Sequence, residues 1–183
     1  MSEFRDFREI SRKFQDKLKK IKVFLADVDG ILTDGRIFWA GPEVGFNRAF
    51  HALDGYGMKM LQRAGLKVGI ISGGDSKSVK VRSDYLKLDY VFIGNEDKRE
   101  ALLTVMKDGF KPEEVCFMGD EFFDLPVLKK AGFSATVPKA SPEIREAVDY
   151  VTQREGGDAC VREVIDILRF AQGIVPDILE FEE

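Results

Sequence analysis

Short blocks of continuous apolar residues alternate along the chain with longer stretches in which apolar positions recur every three or four. The blocks cover residues 22–26, 67–71, 90–93, 114–118, 133–137 and 150–152, and the periodic stretches cover 57–64, 76–86, 98–107, 123–131, 142–148 and 159–170. A block apolar at every position is a strand covered on both faces, whereas the three-and-four spacing is one face of a helix. Their alternation predicts a doubly wound α/β domain, a parallel sheet between layers of helices. Such sheets bind ligands at the carboxyl ends of their strands, near the point where strand order reverses.

Two stretches stand outside this alternation. Phe4, Phe7, Ile10, Phe14 and Leu18 predict an amphipathic helix over residues 3–19, an N-terminal segment (1–20) that packs on the domain or on a partner subunit. Residues 35–50, GRIFWAGPEVGFNRAF, carry aromatic residues on both sides of Gly41-Pro42 and predict a β-hairpin projecting from the sheet. Exposed there, Phe38, Trp39, Phe46 and Phe50 would form an apolar interaction surface. The remainder is one domain over residues 21–173, followed by a tail, 174–183, that is acidic and apolar by turns.

Composition narrows the classes of function. With 183 residues and 44% apolar content the chain suits one globular domain. Its net charge of −4 offers no basic excess for nucleic acid or an anionic membrane. Cys116 and Cys160 have no CxxC spacing, so buried reduced thiols are expected. The first twenty residues mix charge with apolar positions, unlike a signal peptide, and a cytoplasmic protein is expected.

Candidate chemistry collects just after the strand blocks. The first block runs into FLADVDGILTDG, placing Asp27 and Asp29 two apart and on one side if extended geometry continues. Two such carboxylates repel unless a cation shares them, and Mg²⁺ is the oxygen-seeking choice that works beside phosphate. The second block ends in IISGG, where Ser72 and the following amides suit a phosphate at a helix start. Lys98 opens a helix, where the macrodipole disfavours a cation, and so points to an anionic partner. The fourth block ends in FMGDEFFDLPVL, which groups Asp120, Glu121 and Asp124.

These four features, in this order and at strand ends, resemble the four motifs of the haloacid dehalogenase superfamily. LTDGRIF, FHALDGYGMKML, AVDYVT and GGDACVREVIDILRFAQG further resemble its capless 3-deoxy-D-manno-octulosonate (KDO) 8-phosphate phosphatases, and the interval after Asp34 has room for a hairpin but no cap domain. The resemblance implies a Rossmann-type sheet and a Mg²⁺-dependent phosphatase. In it Asp27 is the nucleophile, Asp29 the general acid and base, and Ser72 and Lys98 hold the phosphoryl oxygens. Mg²⁺ is held by Asp27, Asp29 (through its backbone carbonyl) and Asp120, with Glu121 and Asp124 behind them. The expected partner is a phosphorylated sugar acid, contacted by Asp29, His51, Asp54, Gly55, Lys59, Gly73, Arg82 and Lys98. The resemblance also implies a homotetramer joined through the hairpins, with Gly156 and Gly157 in a segment that reaches a neighbouring site.

The chain departs from that pattern at the substrate-facing positions. Leu53-Asp54-Gly55 stands where RDG is usual, Gly73-Gly74 where GR is usual, and Gly119-Asp120-Glu121 where GDD is usual. Two guanidinium groups able to grip a carboxylate are missing. That leaves open the 9-phosphate of a nine-carbon sugar acid, ketodeoxynononate or N-acetylneuraminate, and a catalytically silent oligomerising module.

Overall fold

The computed structural model describes residues 6–178 and residue 181. The N-terminal helix is in two pieces, α1 (Phe7–Lys13) and α2 (Gln15–Leu18). Phe14 breaks it with φ −109° and packs its ring edge-on against Phe133, with centroids 5.3 Å apart. An aromatic contact to the sheet thus outweighs one helical hydrogen bond. α1 lies on helix α8 (Cys160–Gln172), so this segment belongs to its own domain; Phe4 lies outside the described residues.

Six parallel strands form the main sheet, in the order β5-β4-β1-β6-β7-β8. They are β1 (Val23–Ala26), β4 (Lys67–Ser72), β5 (Tyr90–Ile93), β6 (Val115–Met118), β7 (Phe133–Thr136) and β8 (Tyr150–Val151). Every residue of β1 is buried, because β4 and β6 flank it and helices cover it. Strand order reverses between those neighbours, which puts the switch point at the carboxyl end of β1. Ala26 is in register with Ile70 and Met118, so the chain emerges there from three strands side by side.

α3 (Ala52–Arg63) packs against α8, while α5 (Arg99–Lys107), α6 (Leu125–Leu128) and α7 (Pro142–Ala147) form a second row and α4 (Lys77–Leu86) follows β4. α3 begins five residues before the predicted 57, because Asp54-Gly55 is helical. A Cβ on Gly55 would strike the Arg82 guanidinium, and one on Gly57 would sit 3.0 Å from Arg162 Cδ. Close packing, not a turn, explains both glycines. The hairpin consists of β2 (Phe38–Trp39) and β3 (Phe46–Asn47), and no cap domain occurs among the described residues. Phe38, Trp39 and Phe46 are exposed as expected, but Phe50 turns inward onto the core. Both cysteines are free and buried. No described helix is long and apolar enough to cross a membrane.

Candidate active site

Asp27 is the first residue beyond β1, and its N–H donates to Met118 O at 2.8 Å, which continues the sheet by one step. Extended geometry then stops. Residues Val28–Leu32 form a wide helical turn in which Gly30 takes φ +94°. Asp27 and Asp29 consequently part company, contrary to the expectation that they project together.

Asp27 is 3% exposed and accepts a hydrogen bond from Lys98 Nζ at 2.6 Å. The same ammonium lies 2.5 Å from Asp124 Oδ1, and both side chains are fully buried. Burial alone would lower the lysine's pKa, but Asp27 and Asp124 together hold it above the ordinary value. The rings of Phe117 and Phe123, with centroids 5.9 and 4.7 Å from Nζ, close off water. Asp124 Oδ2 accepts from the amides of Asp120 and Glu121, fixing the loop after β6. Gly119 has to lack a side chain, since a Cβ there would meet the Asp124 carboxyl at 2.5 Å.

Carboxylate oxygens of Asp27, Asp120 and Asp124 lie within 4.8 Å of one another. Burial, then Asp124, pushes Asp27 up to about 7 against the pull of Lys98; burial, then Asp27 and Asp124, pushes Asp120 up to about 8. Asp120 Oδ1 is buried with no hydrogen-bond partner. Asp124 already serves Lys98 and two amides, and Asp27 shares that one ammonium, which leaves Asp120 as the carboxylate that lacks a cation. This donor set, all oxygen and anionic, fits a hard divalent ion. Gly30 makes room for the Asp120 carboxylate, which a Cβ there would overlap. Glu121 is turned away, accepting its neighbour Phe122 N–H at 2.8 Å at the lip of the groove.

Asp29 is partnered from the opposite side. Arg48, just past β3, sets Nε on Asp29 Oδ1 and Nη2 on Asp29 Oδ2, the latter at 2.9 Å. A guanidinium therefore neutralises this carboxylate. Arg48 was not singled out from the sequence; its only signal was a lone arginine at the end of an aromatic hairpin strand. Ser72, 1% exposed, accepts the Gly74 N–H at 3.2 Å in the turn after β4. This turn stands beside Asp29 and Arg48, since a Cβ on Gly74 would lie 3.5 Å from Asp29 Oδ2 and 3.1 Å from Arg48 Nη2.

Several expected sugar contacts have other occupations. His51 caps α3 by accepting Leu53 N–H at 3.2 Å. Asp54, 1% exposed, accepts Arg162 N–H at 2.7 Å and ties α3 to α8; burial pushes it up to about 6. Gly55 lies under Arg82, and a Cβ on Gly73 would sit 3.1 Å from Glu96 Cγ. Lys59 and Arg82 both reach the Tyr85 ring, at 4.3 and 5.7 Å, and Arg82 lines a groove of about 480 Å³ with Arg48, Phe50, Lys77 and Tyr85. Gly156 and Gly157 have a role within the chain. A Cβ on Gly156 would overlap the Gly30 carbonyl, and Gly157 N–H donates to Ile31 O at 3.0 Å, so this turn presses on the turn that follows β1.

A parallel sheet whose switch point carries a buried aspartate, its lysine and a second acidic loop defines a haloacid dehalogenase-like hydrolase, and residues 76–164 match that family. The solved structure of 3-deoxy-D-manno-octulosonate 8-phosphate phosphatase from Moraxella catarrhalis, in complex with magnesium, phosphate and KDO, superposes with a TM-score of 0.84. It is 35% identical and covers 88% of this chain and 93% of its own. The cobalt-bound enzyme of that name from Haemophilus influenzae has a TM-score of 0.81 at 36% identity, covering 86% and 92%. The KDO 8-phosphate phosphatase KdsC of Escherichia coli K12 is 37% identical over 160 residues, 86% of this chain and 84% of that protein. The chain belongs to the KDO 8-phosphate phosphatase family.

Proposed function

We propose that this protein is a Mg²⁺-dependent phosphomonoesterase that releases phosphate from 3-deoxy-D-manno-octulosonate 8-phosphate through an aspartyl-phosphate on Asp27. The observation that carries this is Asp27 itself: a buried carboxylate at the switch point, paired with Lys98 at 2.6 Å and sharing space with an unpartnered Asp120. A Mg²⁺ held by Asp27, Asp120 and the backbone carbonyl of Asp29 would offset the charge between carboxylate and phosphate.

Asp27 attacks phosphorus in line, so that the Asp27 oxygen–phosphorus bond forms as the bond to the sugar oxygen breaks. Asp29 gives that oxygen a proton and then takes one from the water that splits the aspartyl-phosphate, releasing orthophosphate and restoring Asp27. Lys98 and Ser72, both held rigidly, meet the charge on the phosphoryl oxygens; this positioning supplies most of the catalysis of phosphoryl transfer. Asp124 holds Lys98 and the Asp120 loop in place. Arg82 and Lys77, lining the adjoining groove, are suited to the sugar's acidic end.

The exposed Phe38, Trp39 and Phe46, 51%, 60% and 58% accessible, are more apolar surface than a lone two-stranded hairpin stably presents to water. They support assembly through the hairpins into a tetramer. The chain is read as cytoplasmic.

The test is phosphate release by purified protein with Mg²⁺ across KDO 8-phosphate, the two nine-carbon 9-phosphates and p-nitrophenyl phosphate. Turnover led by KDO 8-phosphate and abolished in Asp27→Asn or by chelator is the expected result. Preference for a nine-carbon substrate moves the specificity. No turnover by folded protein leaves the silent module as the better account.

A further inference from the structure

Arg48 does more than clasp Asp29. Its side chain is 6% exposed, and a guanidinium carries five donors in a rigid fork. Nε and Nη2 serve Asp29, while Nη1 is buried with no acceptor. A buried donor without a partner is a standing demand for an oxygen. The space around the fork shows where that oxygen would come from. A Cβ on Gly74 would stand 3.1 Å from Arg48 Nη2, 3.5 Å from Asp29 Oδ2 and 3.7 Å from Ser72 Oγ. The guanidinium thus fills the corner between Asp29 and the phosphate-binding turn, a corner open because residue 74 has no side chain. On its other side it lines the groove with Phe50, Lys77, Arg82 and Tyr85. Arg48 stands where the phosphate end of a substrate meets the rest of the molecule.

The clasp also bears on Asp29. Both its carboxylate oxygens accept from the fork, and to hold a proton for the leaving oxygen one of them has to be released. We propose that Arg48 is a substrate-positioning and specificity-determining residue: it clasps Asp29 in the free site and transfers its Nη donors to oxygens of the entering sugar phosphate, freeing Asp29 Oδ2. This rests on the phosphatase reading and names the residue that makes it selective for sugar phosphates. The acceptor is an oxygen of the sugar, on a hydroxyl or on the carboxylate, and the substrates below separate the two.

The test compares KDO 8-phosphate, ribose 5-phosphate (hydroxyls, no carboxylate) and p-nitrophenyl phosphate (neither) with Arg48→Met, Arg48→Lys, Gly74→Arg and the Arg48→Met/Gly74→Arg double variant. Arg48→Met should lower kcat/KM for KDO 8-phosphate by about 100-fold, mostly through KM. That loss should exceed the loss on p-nitrophenyl phosphate by at least about tenfold, with Arg48→Lys between because it keeps charge without the fork. A matching loss on ribose 5-phosphate assigns hydroxyls; a loss confined to KDO 8-phosphate assigns the carboxylate. Gly74→Arg should lower activity in the native background by crowding Arg48, and raise it in Arg48→Met by refilling the corner. Equal losses on all three substrates, or the same sign for Gly74→Arg in both backgrounds, would reduce Arg48 to a prop for Asp29 and overturn the proposal.

Should the unaltered protein hydrolyse no phosphate ester, the phosphatase reading fails, and calorimetric binding of KDO 8-phosphate to Asp27→Asn and Asp27→Asn/Arg48→Met decides the question alone. Binding about tenfold weaker in the double variant supports Arg48 as the contact, and equal binding refutes it.

Discussion

Asp27 and Asp29 are two residues apart and live in opposite settings. Asp27 is locked at the carboxyl end of the sheet's central strand by Lys98, with both partners almost fully buried, whereas Asp29 is 33% exposed and is reached by an arginine from a projecting hairpin. The first pair is built by the core: β1, β6 and α5 bring it together whether or not a ligand is present. The second is built by a two-residue strand and a turn, which suits the release proposed for it. In the proposed mechanism the first carboxylate is the one that attacks and the second the one that exchanges protons.

The widest contrast comes from deleting the two cations. Lys98→Met leaves Asp27 and Asp124 buried without a counter-charge and should cost about 3–5 kcal/mol in denaturant unfolding with chelator present. Arg48→Met, whose partner can turn to water, should cost about 1 kcal/mol in the same assay. Equal costs would erase the distinction drawn between the pairs. Gly156→Ala tests whether the turn after β1 depends on its neighbour. The added methyl overlaps the Gly30 carbonyl and approaches Thr33 O at 3.0 Å, so a loss of about 2–3 kcal/mol is expected, with a higher Mg²⁺ concentration needed for half-maximal activity as the Asp27 to Asp29 geometry shifts.

Asp54 sharpens the comparison from the structural side. Its folded pKa, about 6, is raised above the ordinary 3.8 by burial. The folded state therefore binds its proton more tightly than the unfolded chain does. This contribution to stability is full below pH 3.8 and is lost as pH rises through 6, an amount of about 3 kcal/mol at most. Asp54→Asn keeps an acceptor for Arg162 N–H and does not titrate. In urea unfolding, the unaltered protein should lose stability relative to Asp54→Asn between pH 4.5 and about 7, and a constant difference would show that Asp54 does not carry this linkage. Smallest of all should be the effect of Trp39→Ser/Phe46→Ser on unfolding of the subunit, within about 0.5 kcal/mol, because both rings are solvent-facing. Light scattering should nonetheless show a smaller assembly.

Much of this architecture was legible beforehand for a simple reason. Strands buried on both faces must be apolar throughout, so β1, β4, β5, β6, β7 and β8 appear in the chain as uninterrupted blocks, each placed to within two residues at either end. The polar residues that follow such blocks are few, and Asp27, Ser72, Lys98, Asp120 and Asp124 came out together for that reason. Elements set by contacts between distant segments were less legible. The break at Phe14 depends on Phe133, and the early start of α3 depends on the His51 cap and on the packing of Gly55 and Gly57 against α4 and α8. Asp54 and His51 sit in a motif associated with substrate, yet their hydrogen bonds run to backbone amides.

The sequence by itself determined the class of fold, the polar residues that follow its strands and the need of Lys98 for an anionic partner, because hydrophobic burial and the cost of unpaired charge act wherever those residues occur. The tertiary structure alone decided that Asp29 pairs with Arg48 across nineteen positions, that Gly74 leaves room for its guanidinium, and that Gly156 presses on Gly30. These are matters of where a hairpin and a glycine turn arrive in space. Neither periodicity nor composition encodes that, because it depends on how the whole chain closes around the end of β1.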